Sequence, residues 1–154
     1  MIYLFDWGNT LMKVEPHEKG PMYLWKNPML CEHAGVILER LSRTHRCCLA
    51  TNAEDSDASD IRKALERAGI ADYITTIFCY RNLGLKKPDP AFFKAICTAL
   101  SCLPENLIMV GDDPVNDYAW ARENGAWALL YDPLGRFHDK GFDSISDLME
   151  LCPA

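Results

Sequence analysis

The sequence has no CxxC pair, no cluster of basic residues, no apolar run of membrane-spanning length and no internal repeat. Each absence removes a class of protein. The seven cysteines, at 31, 47, 48, 79, 97, 102 and 152, are odd in number, and several sit inside apolar runs such as RCCLA and IFCY. Reduced, mostly buried thiols account for them better than a disulfide framework or a zinc site. A formal net charge of −6 speaks against binding along a nucleic-acid backbone or on a membrane surface, because both require clustered Lys and Arg. MIYLFDW has no basic segment before its apolar residues and reaches an acid at position 6, unlike a secretory leader. A transmembrane helix needs about 20 apolar residues, and no stretch approaches that. A soluble, cytoplasmic protein is expected.

What is present suits a globular domain. The 154 residues are 49% hydrophobic and 25% charged, so one domain over 1–154 with a real core is expected. Short apolar runs alternate with amphipathic stretches. Strands are predicted at 2–5 (IYLF), 47–51 (CCLAT), 74–80 (ITTIFCY), 107–111 (LIMVG) and 127–131 (WALLY). Helices are predicted at 32–43, where Val36, Ile37, Leu38 and Leu41 recur at helical spacing, and at 57–68, which Gly69 stops. Further helices are predicted from Pro90 to about Leu100, over Val115–Glu123, and briefly over Ser146–Leu151. Residues 12–30 hold Pro16, Gly20, Pro21 and Pro28, which forbid a long helix.

Five nearly continuous apolar strands separated by helices predict an α/β, doubly wound (Rossmann-like) parallel sheet with helices on both faces. Ligands of such sheets lie beyond the carboxyl ends of the strands. The residues that leave that edge are Asp6 after the first strand, Thr51 and Asn52 after the second, and Asp112 and Asp113 after the fourth. The loop carrying Lys86 and Lys87 follows the third. An acid that closes a buried apolar strand needs a partner or a metal, and Asp6 and Asp112 are two such acids.

Four ordered motifs at these positions give the chain its resemblance to the haloacid dehalogenase-like (HAD) hydrolase superfamily. YLFDWGNT matches hhhDxDxT except at one position, and CCLAT matches an apolar strand ending in Thr or Ser. GLKKPDP matches GxxKPDP, and LIMVGDDPVND matches an apolar strand ending in GDxxxxD. One motif would be weak evidence; four in order are strong. The resemblance implies an Asp6 nucleophile that forms an aspartyl phosphate, dividing one difficult displacement into two. It also implies Mg²⁺, held by Asp6, Asp112, Asp117 (directly or through water) and the carbonyl of Gly8. Lys87 would neutralise charge and hold the nucleophile, while Thr51 and the Trp7–Gly8 main chain would donate to phosphoryl oxygens, with Asn52 beside them. Asp113 either orients this set or merely caps a helix that opens with Pro114.

Two features depart from the pattern. Where most phosphatases of the superfamily carry a second aspartate, which protonates the leaving alcohol and then activates water, this chain has Gly8. Loss of a general acid/base costs about 10²–10⁴ in rate. Related branches lack this acid too, with tyrosine in haloacid dehalogenases, alanine in phosphonatases and threonine in P-type ATPases. The acidic fourth motif argues against a dehalogenase, and the missing cap lysine against a phosphonatase. Residues 12–31 suffice for a flap and not for a cap domain, which implies a minimal-cap (C0-type) member with an open site.

Glu15, His17, Glu18 and His33 are candidates to replace the acid. His17 leads, histidine being the side chain that changes charge near neutral pH, against the alternative of a solvated loop residue. Met22, Tyr23, Trp25 and Met29 make the flap apolar enough to pack on the core, the site or a second copy in a homo-oligomer. The expectation is therefore a Mg²⁺-dependent phosphohydrolase acting on a phosphorylated small molecule or macromolecule. The alternatives are a phosphate-binding protein that lost turnover at Gly8 and, behind it, a carbon–halogen or carbon–phosphorus hydrolase.

Overall fold

In the computed structural model, which describes residues 1–152, the apolar runs become strands of one sheet. These are β1 (Ile2–Phe5), β2 (Arg46–Thr51), β3 (Thr76–Cys79), β4 (Leu107–Gly111), β5 (Trp127–Tyr131) and β6 (Ser144–Ile145). Their order is β3-β2-β1-β4-β5-β6, and every pairing is parallel. The sheet thus has six strands and not the predicted five. The sixth is a two-residue addition that pairs Ser144 with Leu130 and Ile145 with Tyr131, too short to leave an alternation in the sequence.

The central strands are buried on both faces, and their side chains alternate between two cores. Tyr3 and Phe5 of β1, with Cys47 and Leu49 of β2, pack under α1 (Ala34–Ser42) and α2 (Ala58–Ala68). Ile2, Leu4, Cys48 and Ala50 face the other way, against Phe92, Phe93, Ile96 and Trp120 of the helices on the opposite face. Here α3 is Tyr80–Leu83, α4 is Pro90–Leu100 and α5 is Trp120–Glu123. Burial pushes the Cys47 thiol up to about 12, and all seven cysteines are free.

Local chemistry sets most element ends. Asp57 and Asp60 form a reciprocal capping box at the start of α2, and Gly69, at φ +77°, stops it. Asp89 caps α4 by accepting from the Ala91 N–H, with Pro90 at the first helical position. Four predicted elements change, one of them the last helix, which shrinks from 146–151 to a final 3₁₀ turn over Leu148–Leu151 capped by Asp147. β3 is shorter than 74–80, because Tyr80 turns directly into α3. Val36, placed on the apolar face by its spacing, is exposed, whereas Ile37, Leu38 and Leu41 are buried. The helix predicted from Val115 opens as a wide π-helical turn over Pro114–Ala119 before tightening into α5.

Residues 12–31 form a pinned flap. Its arms meet where the Lys13 N–H donates to Met29 O and the Cys31 N–H to Leu11 O, both at 2.8 Å. The tip is a 3₁₀ turn over Met22–Leu24. From α2, the Arg67 guanidinium donates to the carbonyls of Tyr23, Trp25 and Lys26, and the Lys63 ammonium stands over the Tyr23 ring. Among the described residues, no helix is long and apolar enough to cross a membrane.

Candidate active site

Strand order reverses between β1 and β4, and their carboxyl ends open a crevice there. Asp6 enters it from β1, fixed by its own N–H donating to Val110 O at 2.9 Å. The chain then turns sharply, with Asn9 at φ +59° and the carbonyl of Trp7 accepting from Thr10, Leu11 and Met12. Asn tolerates that left-handed backbone better than most residues. The turn buries Thr10, whose Oγ1 lies 3.4 Å from Asp6 Oδ2 and 3.3 Å from Asp112 Oδ1. Among the described residues, the N–H groups of Trp7 and Gly8 make no hydrogen bond to another main-chain group.

β4 supplies the acids. Asp113 Oδ1 accepts from the N–H groups of Val115 (2.8 Å) and Asn116 (2.9 Å), so this side chain starts the helix. The wide turn that follows swings Asp117 back beneath Gly111, where an added Cβ would stand 2.2 Å from Asp117 Oδ2. Gly111 is therefore required for Asp117 to sit where it does.

Lys87 joins the halves. Its Nζ donates to Asp6 Oδ1 (2.9 Å), Asp117 Oδ1 (2.6 Å) and Ala50 O (2.9 Å), which uses all three ammonium protons. Burial opposes its charge, but Asp6 and Asp117 outweigh that and hold its pKa above the ordinary lysine value. Asn52 clamps the Lys87 main chain, donating to its carbonyl at 2.9 Å and accepting from its N–H at 2.8 Å. Thr51 Oγ1 accepts from the Ala53 N–H at 3.1 Å, leaving the hydroxyl proton for a ligand.

Carboxylate oxygens of Asp6, Asp112 and Asp117 all lie within 4.8 Å of one another, against the single cation of Lys87. Burial, then the contact with Asp6, raises the Asp112 pKa. Burial also raises that of Asp117, with Lys87 pulling against it. The site is short of positive charge and offers hard oxygen donors, which fits a small divalent cation such as Mg²⁺.

One cleft of about 360 Å³ is lined by Asp6, Trp7, Gly8, Thr51, Asn52, Lys87, Asp112, Asp113 and Asp117. His17 is exposed and does not line it, and neither do Glu15, Glu18 or His33; His33 instead bonds Asp147 at 2.8 Å. The lining also includes Val14, Met22, Trp25 and Ala53, together with Asp55 and Asn116. Sequence reasoning passed over Val14 and Asp55, since neither belongs to a motif. Thr10 and Gly111 were legible only as letters of their motifs.

The haloacid dehalogenase-like hydrolase family matches residues 9–130, and the chain belongs to it. A phosphoserine phosphatase of Thermus thermophilus is 35% identical over 106 residues, covering 68% of this chain and 41% of that protein. The chain thus spans less than half the length of that relative. Among solved structures, an uncharacterized protein from Listeria monocytogenes superposes with a TM-score of 0.84 at 23% identity, covering 98% of this chain and 94% of the other. A HAD-type hydrolase from Bacillus subtilis, bound to magnesium, gives a TM-score of 0.71 at 19% identity over 79% of this chain and 54% of its own.

Proposed function

We propose that this chain is a Mg²⁺-dependent phosphatase working through a phosphorylated Asp6. The observation that carries the reading is the convergence of Asp6, Asp112 and Asp117 around the buried Lys87 ammonium. Magnesium, held by Asp6, Asp112 and the Gly8 carbonyl with Asp117 nearby, would offset the charge on the phosphoryl oxygens. Lys87 holds Asp6 Oδ1 and contributes a fixed positive charge. Thr51 donates its free hydroxyl proton to a phosphoryl oxygen, and the Trp7 and Gly8 N–H groups donate to others. The Asp6 carboxylate then bonds phosphorus while the ester oxygen departs, and water releases the phosphate in a second step. The relative named as a phosphoserine phosphatase supports a phosphate ester as substrate. Seven unpaired thiols suit a reducing, cytoplasmic setting.

A second reading, a phosphate-binding protein without useful turnover, is favoured by one observation: Gly8 has no carboxylate and His17 lies outside the cleft. An aryl phosphate separates the two. The enzyme reading expects phosphate release that Mg²⁺ supports and EDTA stops, an acid-quenched phosphoryl adduct on the Asp6 peptide, and neither in Asp6→Asn. Saturable phosphate binding with no adduct and no release would leave only the binding protein.

A further inference from the structure

We propose that Val14 fills the place of the missing acid, and that the site thereby selects phosphate esters whose leaving groups need no proton, aryl phosphates above all. The inference rests on the phosphatase reading above. A Cβ built on Gly8 would meet Val14 Cγ2 at 3.0 Å, a tight contact, so any side chain at position 8 has to press the Val14 isopropyl group aside by a few tenths of an ångström. Val14 is 47% exposed on its outer side, but valine is stiff at χ1 and yields less readily than the tip of a long flexible side chain. Its backbone is pinned as well. The Asn9 N–H donates to Met12 O at 2.7 Å, the Val14 N–H to Asn9 Oδ1 at 3.2 Å, and the Lys13 N–H to Met29 O at 2.8 Å.

The same flap lines the cleft with Met22 and Trp25, both buried. Trp25 Nε1 donates to Gly20 O at 2.9 Å, and Arg67 holds the Trp25 carbonyl, so this apolar wall is fixed in place. An aromatic ring suits it through ring and sulfur contacts. Outside the Asp6–Asp112–Asp117 cluster, the ionisable groups of the lining are committed elsewhere or exposed. Lys87 has three acceptors, and Asp113 Oδ1 caps a helix. Asp55 is exposed and accepts from Ser56 Oγ at 3.1 Å.

The chemistry follows from those walls. As an Asp6 oxygen bonds phosphorus, the ester P–O bond breaks and its electron pair stays on the departing oxygen. An alkoxide is too basic to leave unprotonated. A phenoxide, whose conjugate acid has a pKa of about 10 or below, departs as the anion and takes its proton from bulk water. Water then attacks phosphorus, the P–O bond to Asp6 breaks to regenerate the carboxylate, and the water proton passes to phosphate or solvent.

The test measures kcat/KM of the Mg²⁺-loaded protein on aryl phosphates of graded phenol acidity and on alkyl phosphates. A steep fall with rising leaving-group pKa is expected, with alkyl esters roughly 10²–10⁴-fold slower than aryl ones. A G8D/V14A double variant is expected to narrow that gap more than G8D alone, in which the new side chain is still crowded by Val14; equal narrowing in both would remove Val14 from the account. Should the double variant fail to fold by circular dichroism, the wild-type series still decides. Equal rates on aryl and alkyl esters, with turnover still dependent on Asp6, would overturn the inference and leave the phosphatase reading standing. If Asp55→Asn then steepened a flat series, Asp55 would be the acid in its place. Absence of turnover on every ester would overturn both readings.

Discussion

A buried ammonium survives at Lys87 because three acceptors take its three protons, and the nearest of them, Asp117, is itself 1% exposed. Removing one member of such a pair leaves the other charged and unsolvated. Lys87→Ala is therefore expected to lower stability by about 3–5 kcal/mol, read from urea denaturation, and not merely to slow turnover. Gly111→Ala acts on the same pair from beneath. Its methyl group would overlap Asp117 Oδ2 and Cγ, so the carboxylate must leave Lys87 or the strand end must shift. A loss of about 1–3 kcal/mol is expected, together with a weakened response to Mg²⁺ in calorimetry. Asp6, Asp112 and Asp117 could be picked out in the sequence because each follows an apolar strand at a fixed offset, and Lys87 because it stands in the GLKKPDP motif. Val14 could not, because its position over Gly8 depends on the left-handed turn at Asn9, which spacing alone does not reveal.

Helices with chemical punctuation could be read to within a residue or two. The Asp57 cap and Gly69 stop bounded α2, and Asp89 with Pro90 opened α4. The wide winding at Pro114–Ala119 and the two-residue β6 carry no such marks, since both follow from tertiary contact. Two element-scale contacts are testable. Arg67 ties the flap to α2 through main-chain carbonyls, so Arg67→Ala is expected to cost about 1 kcal/mol and to speed proteolysis within residues 12–31. At the opposite end of the flap, His33 precedes α1 and bonds Asp147, the cap of the last turn. That bond raises the His33 pKa; the Met149 N–H and then His33 lower that of Asp147. The link is fully present below the ordinary histidine value of about 6.5 and above the ordinary aspartate value of about 3.9. It is lost as pH rises through the raised His33 value or falls through the lowered Asp147 value. In Asp147→Asn, which keeps a capping oxygen, the His33 NMR titration is expected to move down toward the ordinary value. The difference in melting temperature from wild type is expected to shrink between pH 6 and pH 8.

Across the whole molecule, one sheet edge gathers three carboxylates at its point of reversal with a single lysine to balance them. That arrangement serves a bound cation and burdens the chain without one, so site and stability are linked. Any ion that binds only the folded chain adds RT ln(1 + [L]/Kd), about 1.4 kcal/mol at ten times Kd. For a chain of this length that corresponds to a rise of roughly 3–5 °C in Tm, which EDTA should reverse. Asp112→Asn separates the two sides of the linkage. Burial and then Asp6 raise the Asp112 pKa, and a neutral side chain there escapes both penalties, so the metal-free variant is expected to melt higher than wild type. The same change removes a ligand, so its Tm is expected to stay flat as Mg²⁺ is added. Differential scanning fluorimetry of both proteins across a Mg²⁺ series decides the matter. A variant that melts lower without metal and still rises with Mg²⁺ would mean that Asp112 is a structural acid and that the cation sits elsewhere.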